Sequence, residues 1–125
     1  MVLVEIFHNV ATDETGRPLN FLGYQPGQPI VKVFVYESEG ADPTEPIAYE
    51  ELAEEVYCLG NGIAHSRSGE YYARKLRSPS VGDLIRIGEV WMSVERASFK
   101  FLPAHEPNDI TDKHEGEHGT QPWKE

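Results

Sequence analysis

Short runs of apolar, β-branched and aromatic residues predict the strands of a mostly antiparallel sheet. The clearest run extends from Ile30 to Tyr36 and is nearly continuous, with Lys32 as its one charge, which is typical of a central strand covered on both faces. Four further runs have the same character and lie at residues 2–7, 84–87, 90–94 and 97–102. Gly88 and Glu89 separate two of these runs, and this pair predicts a tight hairpin turn of type II′ or I′.

The periodicity changes between residues 43 and 58, where it predicts the main helix. Apolar residues recur there at the spacing of one helix face, namely Tyr49, Leu52, Ala53 and Val56. The opposite face carries four glutamates, Glu50, Glu51, Glu54 and Glu55. We expect the apolar face to pack on the sheet and the glutamates to face solvent.

Capping residues leave two starts open for this helix. Asp42 and Glu45 form an Asp-x-x-Glu capping box, while Thr44 followed by Pro46 is an equally good start. The sequence Gly60-Asn61-Gly62 predicts the end of the helix, because glycine adopts the left-handed conformation at little steric cost.

These elements predict an α+β fold with a single small domain, in which an antiparallel sheet of four or five strands packs on one main helix. We expect residues 1–103 to form the compact α+β domain. Residues 104–125 are polar and rich in glycine, proline, histidine and acids, which predicts a flexible, disordered C-terminal tail. The pattern leaves the strand order open, since the long loop at residues 11–29 permits either a wide hairpin or a crossover.

Charge is distributed unevenly along the 125 residues, whose formal net charge is −10. Residues 37–55 carry eight acids and no base, whereas residues 56–102 carry seven bases and four acids. The overall charge opposes binding to DNA or to anionic membranes. The single cysteine excludes an intrachain disulfide, and no signal peptide or membrane span is apparent, so a cytoplasmic protein is expected.

Three short motifs could indicate catalysis or ligand binding. Residues 114–118 read H-E-x-x-H, but Gly116 and the polar surroundings do not suit the helix that a zinc site needs. Cys58 and His65 lack an orienting acid or an oxyanion hole. Bases interleaved with tyrosines between Arg67 and Arg77 could stack on single-stranded nucleic acid, although the neighbouring acids would weaken this binding. We therefore expect no catalytic residues, no metal and no cofactor.

Residues 77–85, with the sequence R-S-P-S-V-G-D-L-I, resemble the R-S-L-S-V-G-D-V-V signature of small YodL-like proteins from actinobacterial phages, plasmids and integrative elements. The resemblance covers about residues 46–96, and Pro79 replaces the usual leucine. These proteins have no established activity, so the resemblance implies a genetic setting and no mechanism.

The main hypothesis is a non-enzymatic binding module of a phage or mobile element. In this hypothesis Glu50, Glu51, Glu54 and Glu55 contact the basic surface of a host or phage protein. One alternative is a nucleic-acid mimic that blocks a DNA-binding protein, and another is a metal-dependent hydrolase acting through the tail histidines. The oligomeric state stays open.

Overall fold

A five-stranded antiparallel sheet and one main helix make up the α+β fold of the computed structural model, which describes residues 1–62, 67–112 and 119–124. The strands are β1 (Val2–Asn9), β2 (Ile30–Ser38), β3 (Leu84–Ile87), β4 (Val90–Val94) and β5 (Phe99–Leu102). The helices are α1 (Pro46–Gly60) and the short α2 (Ser68–Ala73), and a 3-10 turn lies at Asn20–Leu22. The predicted fold class is confirmed.

The strand order is β2-β1-β3-β4-β5, with every neighbouring pair antiparallel. The prediction that residues 30–36 form a central strand is wrong, because β2 lies at one end of this order. The apolar character of β2 has another cause, because both faces of the strand are covered: Ile30 is buried on one face, and Val31 and Val33 are buried on the other. A later part of the chain also covers the outer edge of β2.

The segment that covers β2 belongs to the predicted flexible tail. The amide of Ile30 donates to the carbonyl of Asp109 at 2.9 Å, and the amide of Trp123 donates to the carbonyl of Lys32 at 2.7 Å. Thr120 is buried, and Trp123 packs against the main core. At residues 109–111 and 119–124 the structure therefore differs from the predicted loose tail, while residues 113–118 and 125 lie outside the described residues.

Apolar side chains bury both faces of the sheet. The larger cluster lies between the sheet and the two helices and includes Val4, Ile6, Ile85, Val56 and Leu59. A smaller cluster lies on the opposite face and comprises Phe7, Tyr24, Ile30, Leu84 and Trp91. We call these the inner and outer faces of the sheet, and α1 lies on the inner face.

Helix α1 begins at Pro46, and Glu45 occupies the capping position without a side-chain hydrogen bond. Proline suits the first helical position because the amide that it lacks would have no partner there. Neither of the two predicted capping residues, Asp42 or Thr44, occupies this position, and the carboxylate of Asp42 lies 3.0 Å from the amino group of Met1. The helix ends at Gly60 as predicted, and Gly62 has a φ of +73°. No helix in the described part of the chain is long and apolar enough to cross a membrane.

Candidate functional site

The acidic face of α1 is positioned as predicted: Glu50, Glu51, Glu54 and Glu55 are all exposed. The opposite side of the helix holds it in place, because Ala53, Val56 and Leu59 are buried in the inner core. One side of the helix is therefore packed against the core, and the other side presents carboxylates to solvent.

Ile47 is an apolar exception on this acidic face. It precedes Glu50, Glu51 and Glu54 by three, four and seven residues, so all four side chains share one face. Its side chain is 61% exposed. A shallow cleft of about 290 Å³ lies alongside, between α1 and the preceding loop, and Asp42, Glu51 and Glu55 contribute to its lining. The surface therefore combines one apolar residue with a dense group of acids.

An ion pair with a buried carboxylate closes the segment at residues 77–83. Two guanidinium nitrogens of Arg77 donate to the two carboxylate oxygens of Asp83 at 2.6 and 2.8 Å. Asp83 is fully buried, and its carboxylate also accepts the amides of Asn9 and Ser80, each at 2.9 Å. Burial alone would lower the pKa of Arg77, but its hydrogen bonds and attraction to Asp83 outweigh burial and raise that pKa. We call residues 77–83 the Arg77–Asp83 clasp.

Two glycines allow close approach around the clasp. Gly82 has a φ of +88°, and a Cβ there would lie 2.1 Å from the carbonyl oxygen of Asn20. A Cβ on Gly60 would lie 2.2 Å from Cδ of Pro79, so the proline that departs from the family signature packs directly on the end of α1. The clasp thus joins α1, the 3-10 turn and the sheet.

A second buried polar group lies beside the clasp and centres on His8. Its Nδ1 is 3.0 Å from the hydroxyl of Thr120, and its Nε2 is 3.0 Å from the hydroxyl of Tyr71. Tyr71 donates its one proton to the carbonyl of Arg77, so Nε2 of His8 carries a proton and Nδ1 accepts from Thr120. Burial lowers the pKa of His8 to about 4, which keeps the ring neutral.

This buried group does not form a reactive cleft. His8 and Tyr71 have no exposed surface, and burial raises the pKa of the Tyr71 hydroxyl. The hydroxyl of Thr120, in the C-terminal segment, lies within hydrogen-bond distance of the ring of His8 on β1. The arrangement instead attaches that segment to the sheet.

The predicted cluster of bases and tyrosines is divided between the surface and the interior, with Lys75 and Tyr72 exposed. Arg74 donates to backbone carbonyls of Val33, Gln121 and Pro122 at 2.9 to 3.2 Å, and its guanidinium lies 5.0 Å from the ring centre of Trp123. Arg77 belongs to the clasp, and Tyr71 is buried. Two of the bases expected for nucleic-acid contact, Arg74 and Arg77, are therefore engaged in contacts within the domain.

No group of three or more His, Cys, Asp or Glu side chains within the described residues could hold a metal ion. The H-E-x-x-H motif falls in residues 113–118, and His65 falls in residues 63–66, so both motifs lie outside the described ranges. The free Cys58 is half-buried near the end of α1. The structure thus brings together the four acidic residues that the sequence predicted and adds Ile47 to them.

Sequence reasoning missed the clasp and the His8 group. Arg77 and Asp83 flank the sequence Ser-Pro-Ser-Val-Gly, which is the one signal for the clasp that the sequence contains. Their pairing, however, depends on the fold. No local signal connects His8 to Thr120, because 112 residues separate them.

Comparisons with protein-family models, curated proteins and solved structures find no match.

Proposed function

We infer that the protein is a non-enzymatic binding module whose α1 contacts a basic surface of another protein. The observation that carries this inference is the exposed face formed by Ile47, Glu50, Glu51 and Glu54 on a helix whose other side is buried. Dense carboxylates increase the rate of encounter with a basic partner, and an apolar residue among them supplies contact area that loses water on binding.

The resemblance at residues 77–85 supports a phage or mobile-element setting, in which the partner is a host or phage protein. A cytoplasmic location belongs to the same proposal. The intramolecular contacts of Arg74 and Arg77 also favour a protein partner over nucleic acid, since both guanidinium groups already bind acceptors within the domain.

An affinity capture from an actinobacterial lysate tests this function. The baits are the wild type, a variant with Glu50, Glu51, Glu54 and Glu55 changed to glutamine, and an Ile47→Ser variant. A matched control changes four exposed glutamates elsewhere to glutamine: Glu14, Glu37, Glu39 and Glu89.

A protein retained by the wild type and by the control, but lost from both α1 variants, supports the proposal. Its retention should decrease as salt is raised, because the attraction between exposed charges is screened. Equal recovery of every protein by all four baits refutes it. Displacement of the captured protein by duplex DNA would identify the module as a nucleic-acid mimic.

A further inference from the structure

The two edge strands of the sheet differ in whether their outward backbone groups are hydrogen-bonded. The edge strand β2 is covered by the chain itself through hydrogen bonds from residues 109–111 and 123. The opposite edge strand β5 pairs with β4, and no other described segment hydrogen-bonds to its backbone. An uncovered edge strand presents unpaired amides and carbonyls that can accept a further strand.

The hairpin between β4 and β5 determines which backbone groups face outward. The amide of Glu95 donates to the carbonyl of Ser98 at 2.9 Å, which makes this a hydrogen-bonded pair. Such pairs alternate with non-bonded pairs along an antiparallel ladder. Lys100 and Leu102 therefore bond to β4, whereas the amides and carbonyls of Phe99 and Phe101 point away from the sheet.

The side chains of β5 define what an added strand would meet. Phe99 and Phe101 pair with Val94 and Met92 of the inner core, so they lie on the inner face. Phe101 is 38% exposed there. Lys100 lies on the outer face and is exposed. A strand paired with β5 would place apolar residues beside the two phenylalanines and the intervening residue beside Lys100.

We propose that the outer edge of β5 binds an extended segment of another protein in which an acidic residue lies between two apolar residues. Backbone hydrogen bonds to Phe99 and Phe101 hold this segment as a sixth strand. Its apolar side chains cover Phe101, and its carboxylate pairs with Lys100. This surface is separate from the acidic face of α1, so the two sites can bind at once or fail independently.

A second copy of the chain does not fit this edge. A symmetric antiparallel pair of β5 strands that used both phenylalanines would centre on Lys100 and place two ammonium groups opposite each other. A shift of the pair toward the end of β5 meets Pro103, which has no amide to donate. A lysine on an exposed edge is a common device against such self-pairing, and the same charge favours an acidic partner.

Amide-resolved NMR titration with synthetic peptides tests the proposal. The probe is a capped peptide with a Val-Glu-Val core flanked by threonines, and the matched peptide has a Val-Lys-Val core. A third peptide carries N-methyl groups on both valines of the Val-Glu-Val core, which remove the amides that would donate to Phe99 and Phe101 in an antiparallel pairing with β5. The proteins are the wild type, Lys100→Glu and, as a charge-matched control at an exposed loop position, Arg17→Glu.

At millimolar concentrations the Val-Glu-Val peptide should shift the amide signals of Phe99, Lys100 and Phe101 in a saturable manner. It should bind roughly fivefold more tightly than the Val-Lys-Val peptide, because opposite charges replace like charges across one pair. Lys100→Glu should reverse this order, Arg17→Glu should leave it unchanged, and the methylated peptide should not bind.

Three results would overturn the proposal. The first is the absence of saturable shifts on β5 with either unmethylated peptide. The second is equal affinity for the two peptides, and the third is unchanged binding after methylation.

Discussion

Lowering the pH should destabilise the protein through His8. The ring is fully buried and its pKa is about 4 in the folded protein, against 6.5 for the ordinary side chain. The unfolded chain therefore binds a proton between these two values while the folded chain does not. The contribution of His8 to the free energy of unfolding is therefore fully present above pH 6.5. It is lost as the pH falls from 6.5 toward 4.

The magnitude follows from the two pKa values. At pH 7 both states are mostly neutral, and at pH 5 the unfolded imidazole is mostly protonated while the buried one is mostly neutral. With 1.36 kcal/mol for each pKa unit, the free energy of unfolding should fall by about 2 kcal/mol between pH 7 and pH 5 because of His8 alone.

Urea denaturation at several pH values isolates this contribution. His8→Gln replaces the imidazole with a group that does not titrate, so the free energy of unfolding of this variant should depend less on pH than that of the wild type by about 2 kcal/mol over the same range. His105→Gln is the matched control, because the side chain of His105 is exposed.

Parallel pH curves for the wild type and His8→Gln would refute the reasoning, whatever the absolute stability of the variant. A direct check is the NMR signal of the His8 ring. Its position should not change between pH 7 and pH 5 as long as the protein stays folded, and a midpoint near the ordinary value would mean that the ring is hydrated.

Four further variants test the clasp and the edge strand. Gly82→Ala should lower the free energy of unfolding, measured by urea denaturation, by more than about 2 kcal/mol, because alanine is strained at positive φ and its Cβ would clash with Asn20. A variant as stable as the wild type contradicts this geometry. Asp83→Asn should lower the free energy of unfolding by about 3 kcal/mol, because it leaves Arg77 without its charged partner. In an Arg77→Met, Asp83→Leu double variant the decrease should be smaller than the sum of the decreases caused by the two single substitutions. Lys100→Val should self-associate in sedimentation experiments, and a variant that stays monomeric at high concentration refutes the role of this lysine.

Local sequence signals predicted the elements of this fold well. Strands β1 and β3 to β5 and helix α1 lie close to their predicted positions because each depends on side-chain periodicity within one short segment. The hairpin turn at Gly88 was also predictable. Its φ of +60°, next to a glutamate without positive φ, matches the type II′ alternative.

Contacts between distant segments account for what the sequence did not reveal. Glu70 and Arg74 have the i, i+4 spacing of a helical ion pair, but Glu70 pairs with Arg67, and Arg74 binds carbonyls of β2 and the C-terminal segment. The polar composition of the tail concealed Thr120 and Trp123, because two anchoring residues do not change the average hydropathy of a segment. The exposure of the acidic face was predictable because it depends on the periodicity of α1 alone.

The residues of the Arg77–Asp83 clasp have structural roles. Arg77 and Asp83 neutralise each other inside the domain, Gly82 makes room for Asn20, and Pro79 packs on Gly60. Each of these roles supports the fold, so the clasp does not by itself identify a binding site. If the protein is the binding module proposed above, its specificity resides in exposed residues outside the clasp. The acidic face of α1 and the open edge of β5 are such surfaces, and they differ in charge and in the backbone groups that they present.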